Sequence, residues 1–255
     1  MRWMGLIGTG LALALALASP ATSAGKADVV AAAVADVAQR SPDNIKLDDS
    51  RKPVAVLKFL GLKPGMRVSD PFGINLYWAE ITAPIVGPKG RVTIWEPQQF
   101  YKAKGYQQFA AFKAAHPNVW LRVSPFEAPD LPANAYDFML INLDYHDVYW
   151  ESPKNGVSKM DPDAWLKTVY AAMKPGAVVG VIDHIANPGD TRGNVQQFHR
   201  IDPATVKADF KRAGFKLEAE SSILRNPGDD HKLLVFDPAI RGHTDRFIMK
   251  FRKPR

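Results

Sequence analysis

Between Gly61 and Pro97 the chain reads GLKPGMRVSDPFGINLYWAEITAPIVGPKGRVTIWEP, a strand, a loop, a helix and a second strand, with an acidic residue closing each strand. No other stretch restricts the fold so tightly. Two parallel strands need a crossover, and a helix entered through a close loop is the layout of a nucleotide-binding half-site, where free amides at the helix start meet a polar ligand group. Glycines normally let such a loop approach its ligand. Here Gly73 stands alone, and Ile74, Asn75 and Leu76 follow it.

The alternation continues on both sides. The sequence predicts a helix from Lys26 to Arg40, stopped by Ser41-Pro42, and a second from Asp49 to Leu60, closed by Gly61. Strands are expected at Arg67 to Asp70, Arg91 to Glu96, Val119 to Val123, Tyr136 to Leu143 and Ala177 to Asp183. Helices are expected between them at Leu76 to Val86, Lys104 to Ala115 and Pro162 to Met173. The run YDFMLINL has the apolar continuity of a strand buried on both faces. A helix from Pro203 to Ala213, capped by Asp202, then leads to two strands in near succession, Phe215 to Leu224 and Asp245 to Lys253. The pattern implies an α/β fold with a mostly parallel sheet, one antiparallel member and a ligand crevice at the carboxyl ends of the strands.

The N-terminus has Arg2, an apolar run from Met4 to Ala18 and the small residues Ala21 to Ala24. The run is shorter than the ~20 residues that span a bilayer, so residues 1–24 read as a cleaved signal peptide and the mature chain as periplasmic or secreted, without a membrane span. Residues 25–60 then form a helical segment and residues 61–255 the α/β domain. There are no cysteines, which excludes disulfides, a thiolate nucleophile and Cys-ligated metals. The net charge of +7 is spread without a Lys/Arg block, so no nucleic acid is expected as partner.

The stretches LKPGMRVSD, YWAEITAPIVGPKGRV, YHD at Tyr145 to Asp147, KPGAVVGVIDH, FHRID at Phe198 to Asp202 and the tail LRNPGDDHKLLVFDPAIRGHTDRFIMKFRKP carry a resemblance. The chain resembles class I S-adenosylmethionine-dependent methyltransferases over nearly all of its mature length. More narrowly, it is similar to an exported proteobacterial group of predicted methyltransferases. The resemblance implies a Rossmann-like class I methyltransferase fold, with a mostly parallel seven-stranded sheet, one antiparallel edge-region strand and helices on both faces. It implies S-adenosylmethionine as cofactor and a small-molecule methyl acceptor. The loop from Asp70 through Gly73 to Asn75 would wrap the amino-acid portion of the cofactor, Glu96 would accept from the ribose hydroxyls, and the segment after Leu140, with Asn142, would border the methyl group. Relatives with an intact loop have glycines where this chain has Ile74-Asn75-Leu76.

Asp144, Tyr145, His146 and Asp147 follow one strand and Asp183-His184 the next, and His199 adds a further imidazole. A histidine paired with a carboxylate suits a general base, with His146, Asp147 and His184 as the catalytic candidates. Asp144, Asp183 and His184 could instead hold a divalent metal, or the histidines could simply tie strand ends together. A metal-dependent hydrolase at these Asp/His strand ends is a third reading of the whole, against which stands the lack of a compact metal motif such as His-Glu-x-x-His; two others remain open. One is a methyltransferase with an altered glycine loop, and the other is an inactive descendant that serves as a binding protein in the cell envelope.

Overall fold

The structure, a computed structural model, describes Met1 and residues 28–255. The expected signal peptide and the start of the first expected helix lie outside the described residues.

Among the described residues four α-helices precede the sheet: α1 (Val29–Ala35), α2 (Pro42–Ile45), α3 (Asp48–Arg51) and α4 (Pro53–Leu60). Asp28 caps α1, its Oδ1 accepting from the Ala31 amide at 3.2 Å. The helix expected over 49–60 is broken, because Lys52 adopts a left-handed φ of 46° immediately before Pro53. A proline disfavours helical backbone at the residue before it, so the chain turns here and starts again.

The remaining elements are β1 (Arg67–Pro71), α5 (Tyr77–Val86), β2 (Arg91–Pro97), α6 (Ala103–Ala115), β3 (Val119–Ser124), β4 (Tyr136–Asn142), α7 (Pro162–Ala172), β5 (Met173–His184), α8 (Thr191–Phe198), α9 (Pro203–Arg212), β6 (Lys216–Ser221) and β7 (Arg246–Arg252). The sequence reading missed α8. Val195 is its only buried residue, so it has no apolar stripe to announce it, although Asp190 caps it in the usual way.

The seven strands lie in the order β3-β2-β1-β4-β5-β7-β6. The first five are parallel, while β7 runs antiparallel between β5 and the edge strand β6. Successive residues of a strand face opposite sides. Phe138 and Leu140 of β4 therefore join a core with Leu57, Leu60 and Ile81, whereas Met139 and Ile141 join a second core with Trp165 and Phe210. Chain order reverses between β1 and β4, which opens a crevice beyond their carboxyl ends.

Candidate functional site

β1 delivers Asp70 to the floor of that crevice, where it is 3 % exposed. Its Oδ2 is buried and has no hydrogen-bond partner among the described residues. A Cβ on Gly73 would stand 2.5 Å from this oxygen, so a side chain there would push the carboxylate out of its place beneath the loop. Burial raises Asp70 to about 8, against the opposing pull of Arg51. Asp144, after β4, is likewise pushed well above its ordinary value, first by burial and then by Asp147 and Asp183. Glu96, at the end of β2, rises to about 7 through burial, although its Oε2 accepts from the Ile74 amide at 3.4 Å.

A cavity of about 110 Å³ is lined by Asp70, Gly73, Asn75, Asn142, Asp144 and, from α3, Arg51. Four of the expected cofactor residues thus meet here, and Glu96 sits beside them, turned to the loop backbone. Arg51 went unnoticed in the sequence, where it lies upstream of the βαβ unit with no local motif around it. Its guanidinium lies 4.2 Å over the Tyr77 ring, and its Nη1 is buried without a partner among the described residues.

The Ile74-Asn75-Leu76 stretch keeps its two apolar side chains out of this cavity. Ile74 packs into the notch at Gly105 of α6, where an added Cβ would meet Ile74 Cγ1 at 2.8 Å. Leu76 is 7 % exposed and belongs to the core beneath α5, although its φ of 66° is one that glycine favours. Asn75 Oδ1 accepts from the Tyr77 amide at 3.0 Å and so supports the start of α5.

A second cavity, of about 480 Å³, adjoins the first and shares Phe72, Leu143 and Asp144 with it. Phe100, Trp150 and Phe236 add aromatic walls, and His146, His184 and His199 also line it. Asp183, fully buried at the end of β5, accepts from His146 Nδ1 at 2.8 Å, from the His146 amide at 2.9 Å and from the His184 amide at 2.8 Å. The loop carrying His146 is pinned on its other side, because Tyr145 and Tyr149 both donate to Asp209 Oδ2 of α9, at 2.8 and 2.6 Å.

The three imidazoles differ in charge. For His146, burial alone would lower the pKa, but Asp183 and Asp147 outweigh it and raise the ring to about 9. Burial and the charge of His146 lower His199 to about 4 and push His184 well below its ordinary value. His184 Nδ1 pairs with Thr244 Oγ1 at 2.7 Å, and His199 Nδ1 is buried without a partner among the described residues. Of the expected catalytic residues, His146, Asp147 and His184 all reach the cavity, but His146 is cationic near neutrality and His184 is tied to the tail. Among the described residues no three His, Asp or Glu side chains are arranged to hold a metal ion, and no helix is long and apolar enough to cross a membrane.

No family model matches the chain, and no curated protein matches it. Solved structures do. An S-adenosylmethionine-dependent methyltransferase from Aquifex aeolicus superposes with a TM-score of 0.54 at 21% identity, over 83% of this chain and 93% of that one. The 1,6-didemethyltoxoflavin-N1-methyltransferase of Burkholderia thailandensis, with 1,6-didemethyltoxoflavin and S-adenosylhomocysteine bound, gives 0.53 at 14% identity over 95% and 94%. The [4+2]-cyclase SpnF gives 0.59 at 15% identity over 89% and 93%. At these identities the likeness speaks for architecture, and the cyclase among the matches separates that architecture from any one reaction. Strand order, the antiparallel β7 and the helices on both faces agree with these neighbours: the chain has the Rossmann-like class I methyltransferase fold.

Proposed function

We propose that this protein binds S-adenosylmethionine in the crevice beyond β1 and β4 and acts as a methyltransferase on a small molecule held in the adjoining aromatic cavity. The observation that carries this reading is the buried, unpartnered Oδ2 of Asp70, set with Asp144 and Arg51 around one small cavity. A buried carboxylate oxygen without a hydrogen-bond partner is unfavourable, and two carboxyl groups beside the single guanidinium of Arg51 leave room for a cationic ligand. The amino-acid end of S-adenosylmethionine carries an ammonium for Asp70 and Asp144 and a carboxylate for Arg51, and its sulfonium adds a second positive charge. When bound, the cofactor supplies an electrophilic methyl group on that sulfonium. The residues around it bind and orient, with Asn75 and Asn142 offering further polar atoms and the aromatic walls keeping water from the acceptor. The signal-like N-terminus supports a further proposal, that the mature chain works outside the cytoplasm.

Calorimetric titration with S-adenosylmethionine and S-adenosylhomocysteine tests the cofactor reading. Binding in about the micromolar range is expected, tighter for the cationic ligand and weakened at least about tenfold by Asp70→Asn. Absence of binding by folded protein would overturn it and leave a methyltransferase fold used as a binding module.

A further inference from the structure

The proposed function leaves the acceptor unnamed, and the two histidines facing each other in the larger cavity narrow it. His146 and His199 approach edge to face with ring centroids 5.6 Å apart. They belong to different elements, His146 to the loop after β4 and His199 to the residue closing α8, where it holds a left-handed φ of 52°. His199 is placed by its neighbours, with Trp150 at 5.4 Å and Phe236 at 5.2 Å. His146 is placed by Asp183 through Nδ1, which leaves Nε2 for the cavity, with Asp147 Oδ1 at 3.4 Å.

We infer that this cavity takes a flat aromatic molecule bearing a hydroxyl group, whose oxygen accepts from His146 Nε2 and whose proton is offered to His199. This inference rests on the methyltransferase reading only for its claim that the ligand is the methyl acceptor. Donors and acceptors at the two rings select the ligand. Around His146 stand Asp183 and His184 from β5, Asp147 from its own loop, Asp144 before it and His199 across the cavity, and this acidic surround keeps its ring protonated, so that Nε2 donates. His199, half-buried beside a cation, is neutral and therefore has one accepting nitrogen. A partner for both must accept and donate at one atom. A carboxylate has no proton for His199. An alkylamine set among Asp144, Asp147 and Asp183 takes up a proton and then has no lone pair for His146, and the lone pair of an arylamine is drawn into its ring and accepts poorly. A hydroxyl does both. Rings with centroids 5.6 Å apart are close enough for one oxygen to bridge them, at about 2.8 Å from a nitrogen of each.

The walls supply the rest of the specificity. Phe100 and Trp150 stack at 6.3 Å with an interplanar angle of 21°, and Phe72 and Phe236 complete a largely aromatic lining. A cavity of about 480 Å³ with these walls and one polar end suits a fused or substituted ring and not a sugar.

The test uses the full chain without cofactor and three probes followed by fluorescence: 2-naphthol, its methyl ether 2-methoxynaphthalene, and naphthalene. The expected result is saturable binding of 2-naphthol at least about tenfold tighter than of either other probe. Naphthalene is smaller and the ether larger, so a loss with both reads out the O–H group and not size. His199→Phe, which keeps the ring bulk, should bring 2-naphthol down to the level of the ether and leave naphthalene unchanged, an effect that a merely structural histidine would not produce. Equal binding of the three probes by wild type, or no binding of any, overturns the inference without need of a variant. Titration with S-adenosylhomocysteine in the same preparation keeps the two readings apart: cofactor binding without hydroxyl selectivity removes only this inference, and hydroxyl selectivity without cofactor binding removes only the proposed function.

Discussion

Asp183 holds His146 at two points, Oδ2 accepting from its amide at 2.9 Å and Oδ1 from its Nδ1 at 2.8 Å. The carboxylate belongs to β5 and the histidine to the loop after the neighbouring strand β4, so one buried acid joins two strand ends, orients the ring and keeps it charged.

Asp183→Asn removes that charge and one acceptor. Burial then dominates at His146, and its pKa should fall from about 9 to below the ordinary histidine value. Stability should drop by about 2–4 kcal/mol, since the amides of His146 and His184 compete for what is left. NMR titration of the imidazole and a denaturant melt measure the two effects; an unmoved His146 titration would contradict the assignment. In wild type this group, with its folded pKa raised, contributes stability that is present below about 6.5 and lost as pH rises through about 9.

Asp70 gives a second dependence on pH. Its folded pKa of about 8 lies above the ordinary carboxylate value, so the neutral form favours the fold at low pH and the contribution is lost as pH rises from about 4 to 8. Asp70→Asn should therefore stabilise the ligand-free protein at pH 8 by about 1–3 kcal/mol and change little at pH 4. Thermal melts across that range check this, and a variant less stable than wild type at pH 8 would refute it. On the acid side His199 acts in the opposite sense: its depressed pKa contributes stability above about 6.5 that is lost as pH falls through about 4.

Leu76→Gly separates the loop's strain from its packing. Relief of the left-handed backbone returns about 1 kcal/mol, whereas loss of the buried side chain costs about 2–3 kcal/mol. A net loss of about 1–2 kcal/mol is expected, with affinity for S-adenosylhomocysteine unchanged, because the side chain points into the core. A gain of affinity on calorimetry would mean that Leu76 crowds the cavity after all.

Arg200 and Asp229 form a fully buried ion pair at 2.8 and 3.0 Å, and the same guanidinium donates to the carbonyls of Ile185 and Leu233. It thereby ties the segment that brings Val235 and Phe236 to the cavity. Breaking the pair with Arg200→Met leaves a buried charge and should cost about 3–5 kcal/mol. Limited proteolysis should then cut between 230 and 243, and persistence of the wild-type digestion pattern would argue against this anchoring role.

Much of the fold was legible because it follows from local chemistry. Apolar runs such as YDFMLINL, capping residues such as Asp161 and Asp202 and the turn at Gly61 repeat at intervals that only alternating strands and helices satisfy. The misses have local reasons as well. Lys52 breaks a helix because of the proline after it, and α8 buries too little to show a period. The polar strand ends Asp70, Glu96, Asp144 and Asp183 were legible as a group, since the crevice of a parallel sheet lies where its strands terminate.

By itself, then, the sequence determined the order of strands and helices and the sheet end at which a site must lie, because periodicity and strand termini are properties of neighbours in the chain. Tertiary structure alone decided the directions of side chains and the company of charges. It turned Ile74 and Leu76 into the core, brought Arg51 of α3 to Asp70 and Asp144, and set a cationic His146 against a neutral His199. Those outcomes depend on burial and on groups distant in sequence, and the energy of an ionisable group is set by what surrounds it in space.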